Sequence, residues 1–235
     1  MKIAPLSLLS ADNGKTEKGE ARGWLTGVLQ LAPGRIAGRG NVCPHSDECL
    51  AKCIFSTGNG RYETVRAARV RRTRQLFDSP RLFVARLIGD IATLAHEAER
   101  LRMRPALRLN GFSDVHWWRD FPEVLKAARD FGVTPYDYTK TPQQLADRPA
   151  WYDLTFSLGS RNVTAARQAL SEGVRVAAIL KPVPEVWRDG PFGTVAVLNG
   201  DENDLRFLDP SPSIIGLTPK GKAIGHPGRL VRNPN

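Results

Sequence analysis

The chain has 235 residues, with 34 Lys+Arg against 24 Asp+Glu and a formal net charge of +10. Its 41% hydrophobic and 25% charged content is that of an ordinary globular protein and excludes general disorder. No apolar run reaches the ~18 residues of a membrane helix, and Met1–Ser10, broken by Pro5, is too weak for a signal peptide. A cytoplasmic protein without a membrane partner is expected. At this length one domain is the default, so residues 1–23 are read as a loosely held polar arm and residues 24–235 as a single domain.

In chain order, Trp24–Leu31 is an apolar run suited to a buried strand, stopped by Ala32-Pro33-Gly34. Glycines 34 to 40 lead into a cysteine loop at 41–53. Arg61–Phe77 is Arg-loaded and helical in pattern. A second helix begins with Ser79 as cap and Pro80 at its first position, with Leu87, Ile91, Leu94 and Ala98 at helical spacing, and Pro105 is its expected end. Strand and helix then alternate. Ala106–Phe112 reads as strand, Pro122–Phe131 as helix, Thr134–Thr139 as strand, and a Pro-rich loop follows. Tyr152–Ser157 is a strand, Asn162–Glu172 a helix closed by Gly173, and Val174–Leu180 an apolar strand. Thr194–Leu198 and Leu205–Leu208 are short β-like runs joined by a turn at Asn199-Gly200-Asp201. Near-continuous apolar strands between helices predict a mostly parallel α/β sheet. A complete eight-stranded barrel takes ~250 residues, so a partial or irregular TIM-like (β/α) barrel is the expected form.

In such folds ligands bind beyond the carboxyl ends of the strands. Here those ends carry Asn110, Ser113 and Asp114, then Asp137, Tyr138 and Lys140, then Ser157. Taken singly, such residues make turns and helix caps; their recurrence on successive strands points to a site. Asp114 or Asp137 would serve as general base, Lys140 as oxyanion partner, and Ser113 or Ser157 as positioning group or nucleophile. Asn110, Tyr138 and Trp117 are candidate substrate contacts. That set describes a hydrolase acting on esters. It lacks a complete G-x-S-x-G elbow, and no phosphate-binding loop or dinucleotide fingerprint is present.

The only three cysteines, Cys43, Cys49 and Cys53, fall within eleven residues. An isolated C-x5-C-x3-C cluster points to a shared ligand, because four-residue spacing on a helical turn sets two thiolates on one side. Zinc needs four ligands, so His45, His116 or His226 would have to complete a Cys3His site. Three thiolates suit a [4Fe-4S] cluster better, the fourth iron taking Asp114, His45 or His116, or staying open. The spacing matches neither the ferredoxin C-x2-C-x2-C run nor the C-x3-C-x2-C run of radical S-adenosylmethionine enzymes. A redox-sensing thiol group is the third reading. The cysteine loop follows the first strand, so it should emerge at the same end as the polar strand termini. Arginines crowd residues 61–86, and Arg69 and Arg72 are candidate nucleic-acid phosphate contacts or counter-charges to a cluster. The expected partners are therefore a small-molecule substrate or a redox partner, with nucleic acid as the alternative.

Five ordered blocks resemble the bacteriophage "gene product 88" family. They are Asn41-Val42-Cys43-Pro44 with Cys49 and Cys53; Arg69 with Arg72-Thr73; Leu107 to Asp114; Tyr136 to Lys140 with Leu154 to Ser157; and Gly216 to Ala223. The resemblance implies a phage-encoded protein in the host cytoplasm, with a barrel-like α/β fold and a cysteine-held iron–sulfur cluster, and it supplies no reaction. Phe112 stands where the family leads one to expect a smaller residue, often Thr.

Overall fold

The computed structural model describes residues 3–11 and 17–224. His226 and residues 12–16 of the polar arm lie outside the described residues. Among the described residues nine strands form: β1 (Leu9–Ser10), β2 (Trp24–Leu29), β3 (Arg104–Arg108), β4 (Thr134–Thr139), β5 (Asp153–Ser157), β6 (Val176–Ile179), β7 (Val186–Gly190), β8 (Gly193–Asn199) and β9 (Ile214–Leu217). Their order is β1-β2-β3-β4-β5-β6-β9-β8-β7. From β2 through β6 to β9 and β8 every pairing is parallel, while β1 and β7 add antiparallel edges. The sequential winding from β2 to β6 is that of a barrel, but the sheet is open, with β1 and β7 as its two ends. The expected mostly parallel α/β sheet is present, and it does not close into a barrel.

Period-two alternation divides the sheet into two faces. The first buries Leu25 and Leu29, Leu107, Leu154 and Phe156, and Val176 and Ala178 against the helices. These helices are α2 (Glu63–Asp78), α3 (Pro80–Arg100), α4 (Trp117–Asp120), α5 (Pro122–Asp130), α6 (Pro142–Asp147) and α7 (Val163–Ser171). In α3, Leu87, Ile91, Leu94 and Ala98 are fully buried, each of the larger three contributing roughly 1.5–3 kcal/mol. The second face carries Trp24, Ala106 and Tyr136, packed with Leu205 and Phe207. Residues 200–213, joining β8 to β9, and the short helix α1 (Glu17–Glu20) cover this face and leave its upper part open.

Several local expectations change. Helix α3 ends at Arg100, capped by Leu101, before Pro105. Arg102 takes the left-handed conformation (φ 55°) and Met103 N–H donates to the Ala98 carbonyl at 2.8 Å. Pro105 enters β3 near its start, opposite Leu25, where a missing N–H is tolerated. The Pro-rich loop contains α6, because Pro142 occupies a first helical turn where no N–H is needed. Leu205–Leu208 is not a strand: Arg206–Leu208 forms a 3-10 turn. The antiparallel hairpin is β7–β8, turning at Gly193 (φ 71°), so Asn199-Gly200-Asp201 does not close one.

The arm is also less loose than expected. The Ser7, Leu8 and Leu9 amides donate to the Asp90 carboxylate at 2.9, 2.6 and 2.9 Å, and Leu8, Leu9 and Ala11 are buried. Hydrogen bonds to a buried charged group contribute ~1.5–3 kcal/mol. Asp90→Ala is expected to cost about 3 kcal/mol, a fall of roughly 6–12 °C in Tm for a chain this size. A thermal melt unchanged within experimental scatter would show that the arm does not depend on Asp90.

Candidate functional site

The cysteine loop leaves the carboxyl end of β2 and is fastened before the first thiol. Val42 N–H donates to the Gly34 carbonyl (3.1 Å), and the Val42 carbonyl accepts from Asp114 N–H (2.7 Å), tying the loop to the segment after β3. Gly40 (φ 43°) lies so close to the Phe77 ring that a Cβ there would stand 2.2 Å from it. Cys43 is buried, its amide bonded to Asn41 Oδ1 (2.9 Å) and its thiol donating to the Phe112 carbonyl (3.3 Å). Cys49 belongs to a 3-10 helix, Asp47–Lys52, and Cys53 caps that helix. The four-residue spacing therefore does not align the two thiols as an α-helix would. On a 3-10 helix positions three apart eclipse, and positions four apart diverge by about 120°.

Arg69 fastens the far side of the loop. Its Nη1 donates to the Phe55 carbonyl (2.7 Å), its Nε and Nη2 to Gln30 Oε1 (3.1 and 2.6 Å), and its guanidinium lies 4.5 Å from the Phe112 ring centroid. With only 4% of its surface exposed it is not a nucleic-acid contact, and that expectation is corrected. Burial pushes its pKa down to about 10, and the neighbouring Arg72 acts in the same direction while Cys53 opposes it. Phe112, the departure from the family pattern, thus stacks under Arg69 and presents its carbonyl to Cys43.

A cavity of about 360 Å³ opens at the carboxyl ends of the strands. Cys43, His45, Cys49 and Cys53 line it, together with Asn110, Ser113, Asp114, Tyr138, Lys140 and Ser157. Asp137, His116 and Trp117 do not. Asp137 lies on the helix side of β4, fully buried, and accepts from Leu109 N–H (3.2 Å), Asn110 N–H (2.6 Å) and Tyr152 O–H (2.8 Å). Burial pushes its pKa up to about 7 against those bonds. It holds the strand ends together and is removed from the catalytic candidates. His116 is buried with its Nε2 3.5 Å from Asp147, and burial lowers its pKa. Trp117 Nε1 donates to Asn110 Oδ1 at 3.2 Å. Neither side chain faces the cavity, so His116 is set aside as an iron ligand and Trp117 as a substrate contact.

The remaining polar groups are largely committed to one another. Asn110 Oδ1 also accepts from Ser113 Oγ (2.8 Å) and Val115 N–H (3.0 Å). One Asp114 oxygen accepts from Lys140 N–H (3.0 Å) and Thr141 Oγ1 (2.9 Å), the other from Gln144 Nε2 (2.8 Å). Burial raises the Asp114 pKa against those bonds. Lys140 Nζ donates to the Ser157 and Leu158 carbonyls at 3.3 and 3.2 Å. Ser113 therefore donates to an amide and not to a base, and this is not the geometry of an activated nucleophile.

Sequence reasoning passed over the opposite wall. Arg108 pairs with Asp204 and lies 4.6 Å from the Tyr138 ring centroid, and Tyr138 Oη is 3.4 Å from Asp204 Oδ1. Asp201, farther along that wall, holds Lys220 Nζ at 2.9 Å. A charged residue inside the apolar run Ala106-Leu107-Arg108-Leu109 was a readable signal for Arg108. Asp201 and Asp204 sit in an acidic stretch that reads as an ordinary loop.

Burial raises the Cys43 pKa to about 12; Cys49 is exposed as a residue, but desolvation of its thiol in the cavity wall raises that pKa too, with Lys140 partly offsetting it. Both are neutral thiols at pH 7 unless a cation takes the place of their protons. Among the described residues, no three His, Cys, Asp or Glu side chains are drawn into a single-ion set. The donor set is nonetheless three thiols on one cavity, with Cys43 sensing the charges of Cys53 and Cys49. Three thiols on one cavity are a donor set that soft metals take up, the irons of an iron–sulfur cluster and zinc alike.

Among the described residues no helix is long and apolar enough to cross a membrane. No curated protein and no solved structure matches the chain. The family profile described as Gene product 88 matches residues 7–233, and it takes in the cysteine loop, the strand ends and the cavity they form. The chain belongs to the Gene product 88 family.

Proposed function

We propose that this protein binds a [4Fe-4S] cluster through Cys43, Cys49 and Cys53 and serves in electron transfer or sensing. One observation carries the reading: the only three cysteines of the chain, spread over three differently structured positions, all line the same cavity at the strand carboxyl ends. When bound, the cluster would supply a one-electron redox centre. The chain's own part is to position and balance it. Arg69 and Lys140 bring positive charge to Cys53 and Cys49, which stabilises thiolates in a partly buried site. Phe55 and Phe112 pack around Arg69 and shield that side from water. Asp114 and His45 line the cavity and remain candidates for the fourth iron. The wall formed by Arg108, Tyr138 and Asp204 gives a small molecule or redox partner a polar surface beside it.

The test is anaerobic purification and reconstitution with iron and sulfide, read by metal analysis, absorbance and electron paramagnetic resonance. About four irons and four sulfides per chain are expected. One zinc per chain with no iron or sulfide would overturn the reading in favour of a Cys3His site.

A further inference from the structure

We propose a second site, for a phosphate group, in the surface cavity between α2 and α3, built from Arg71, Arg72 and Arg86 with Ser79. The cavity has a volume of about 430 Å³ and lies away from the cysteine loop, with Ser7 and Leu8 of the docked arm along one side. One wall is a single face of α2, where Arg71 and Arg74 stand three residues apart and Ser79 follows the helix end. The other wall is Arg86, in the second turn of α3.

The four arginines that line the cavity outnumber the acids near it, Asp78 in its lining and Asp90 beside Arg72, and both carboxylates already accept hydrogen bonds elsewhere. Asp90 spends both oxygens on the Ser7, Leu8 and Leu9 amides, and Asp78 accepts from Arg39 Nε at 2.9 Å. Among the described residues, the side chains of Arg71 and Arg86 make no hydrogen bond or ion pair, and the Arg74 side chain uses only its Nε, on the Ala37 carbonyl at 2.9 Å. Burial and the neighbouring Arg71 lower the Arg72 pKa, with Asp90 opposing them. Ser79 adds a hydroxyl that caps nothing, at the amino end of a 21-residue helix, where the backbone favours negative charge. Several guanidiniums converging on one concavity match the oxygens of a phosphate, because each can donate two parallel bonds. The phosphate can come from a nucleic-acid backbone or from a free polyphosphate, and both present the same oxygens.

The test uses the full chain and two probes, pyrophosphate by calorimetry and a ~20-nucleotide single-stranded DNA by fluorescence anisotropy. Arg71→Glu and Arg86→Glu are compared with Lys126→Glu, an exposed change of equal charge on α5. Circular dichroism establishes that all three are folded. Pyrophosphate should bind the wild type, and its Kd should rise by about tenfold or more in each arginine variant while Lys126→Glu stays within about twofold. If the oligonucleotide weakens in parallel and its salt slope falls by about 0.7 per arginine removed, a nucleic-acid backbone is the source. If only pyrophosphate responds, the source is a free polyphosphate. Absence of pyrophosphate binding to the wild type, or equal losses in all three variants, would overturn the site. Neither readout depends on whether the cysteines hold a cluster.

Discussion

Reconstituted Cys49→Ala protein is expected to hold less than about one iron per chain where the wild type holds about four, and to lose its visible absorbance. Cys49 is the informative position because its residue is exposed while Cys43 is buried. Truncating an exposed side chain ordinarily changes stability by no more than ~0.5 kcal/mol. Metal-free wild type and Cys49→Ala should therefore melt together, and only the reconstituted wild type should melt higher, since a ligand that binds the native state alone stabilises it. A Cys43→Ser change would confound the two effects, because it alters packing beneath the Phe112 carbonyl as well as removing a donor. Equal iron content in Cys49→Ala and wild type would remove Cys49 from the ligand set and with it the three-thiolate reading.

The parts of the fold that local chemistry dictates were legible from residues alone. Helix α3 announced itself through Pro80 and the Leu87, Ile91, Leu94 spacing, and β4 through a run bounded at both ends. What tertiary context decides was not. Leu205–Leu208 has β-like composition, yet Leu205 and Phe207 complete the core on Trp24 and Tyr136, and that packing holds the segment in a turn. Strand β9 contains Gly216, which reads as a breaker. The structure needs it because a Cβ there would stand 2.4 Å from Val183.

The site divides along the same line. Its location followed from parallel-sheet topology, and Cys43, Asp114 and Lys140 do meet at one cavity. The facing of each side chain did not follow, because neighbouring positions on a strand point to opposite faces. Asp137 and Tyr138 are adjacent in sequence; one is locked behind the sheet and the other looks into the cavity. Arg69 and Arg72 belong to one helix, and a three-residue step separates a staple of the cysteine loop from a wall of the arginine cavity.

Asp137→Asn is expected to change how stability depends on pH more than it changes stability itself. The carboxyl ionises near its ordinary 3.8 in the unfolded chain and near 7 in the fold, where burial disfavours the charge. Below pH 4 both states are protonated and the contribution of this group is fully present. As pH rises through 4 to 7 the unfolded chain gives up its proton first, so stability falls, and it is lost once the folded group ionises near 7. The gap between 3.8 and about 7 corresponds to an upper figure of about 4 kcal/mol. Asparagine imitates the protonated acid: its oxygen can still accept from Asn110 N–H, and its amide can donate to Tyr152 Oη. One bond, from Leu109 N–H, is placed at risk, at a cost of ~1 kcal/mol. The variant should therefore be slightly less stable than wild type at pH 4 and more stable at pH 8, with the two curves crossing at about pH 4.5. The other titrating groups are present in both proteins and cancel in the difference. Urea unfolding of the metal-free proteins from pH 4 to 8 makes the measurement, and parallel curves would show that Asp137 stays ionised in the fold, held by its three donors and by Arg108.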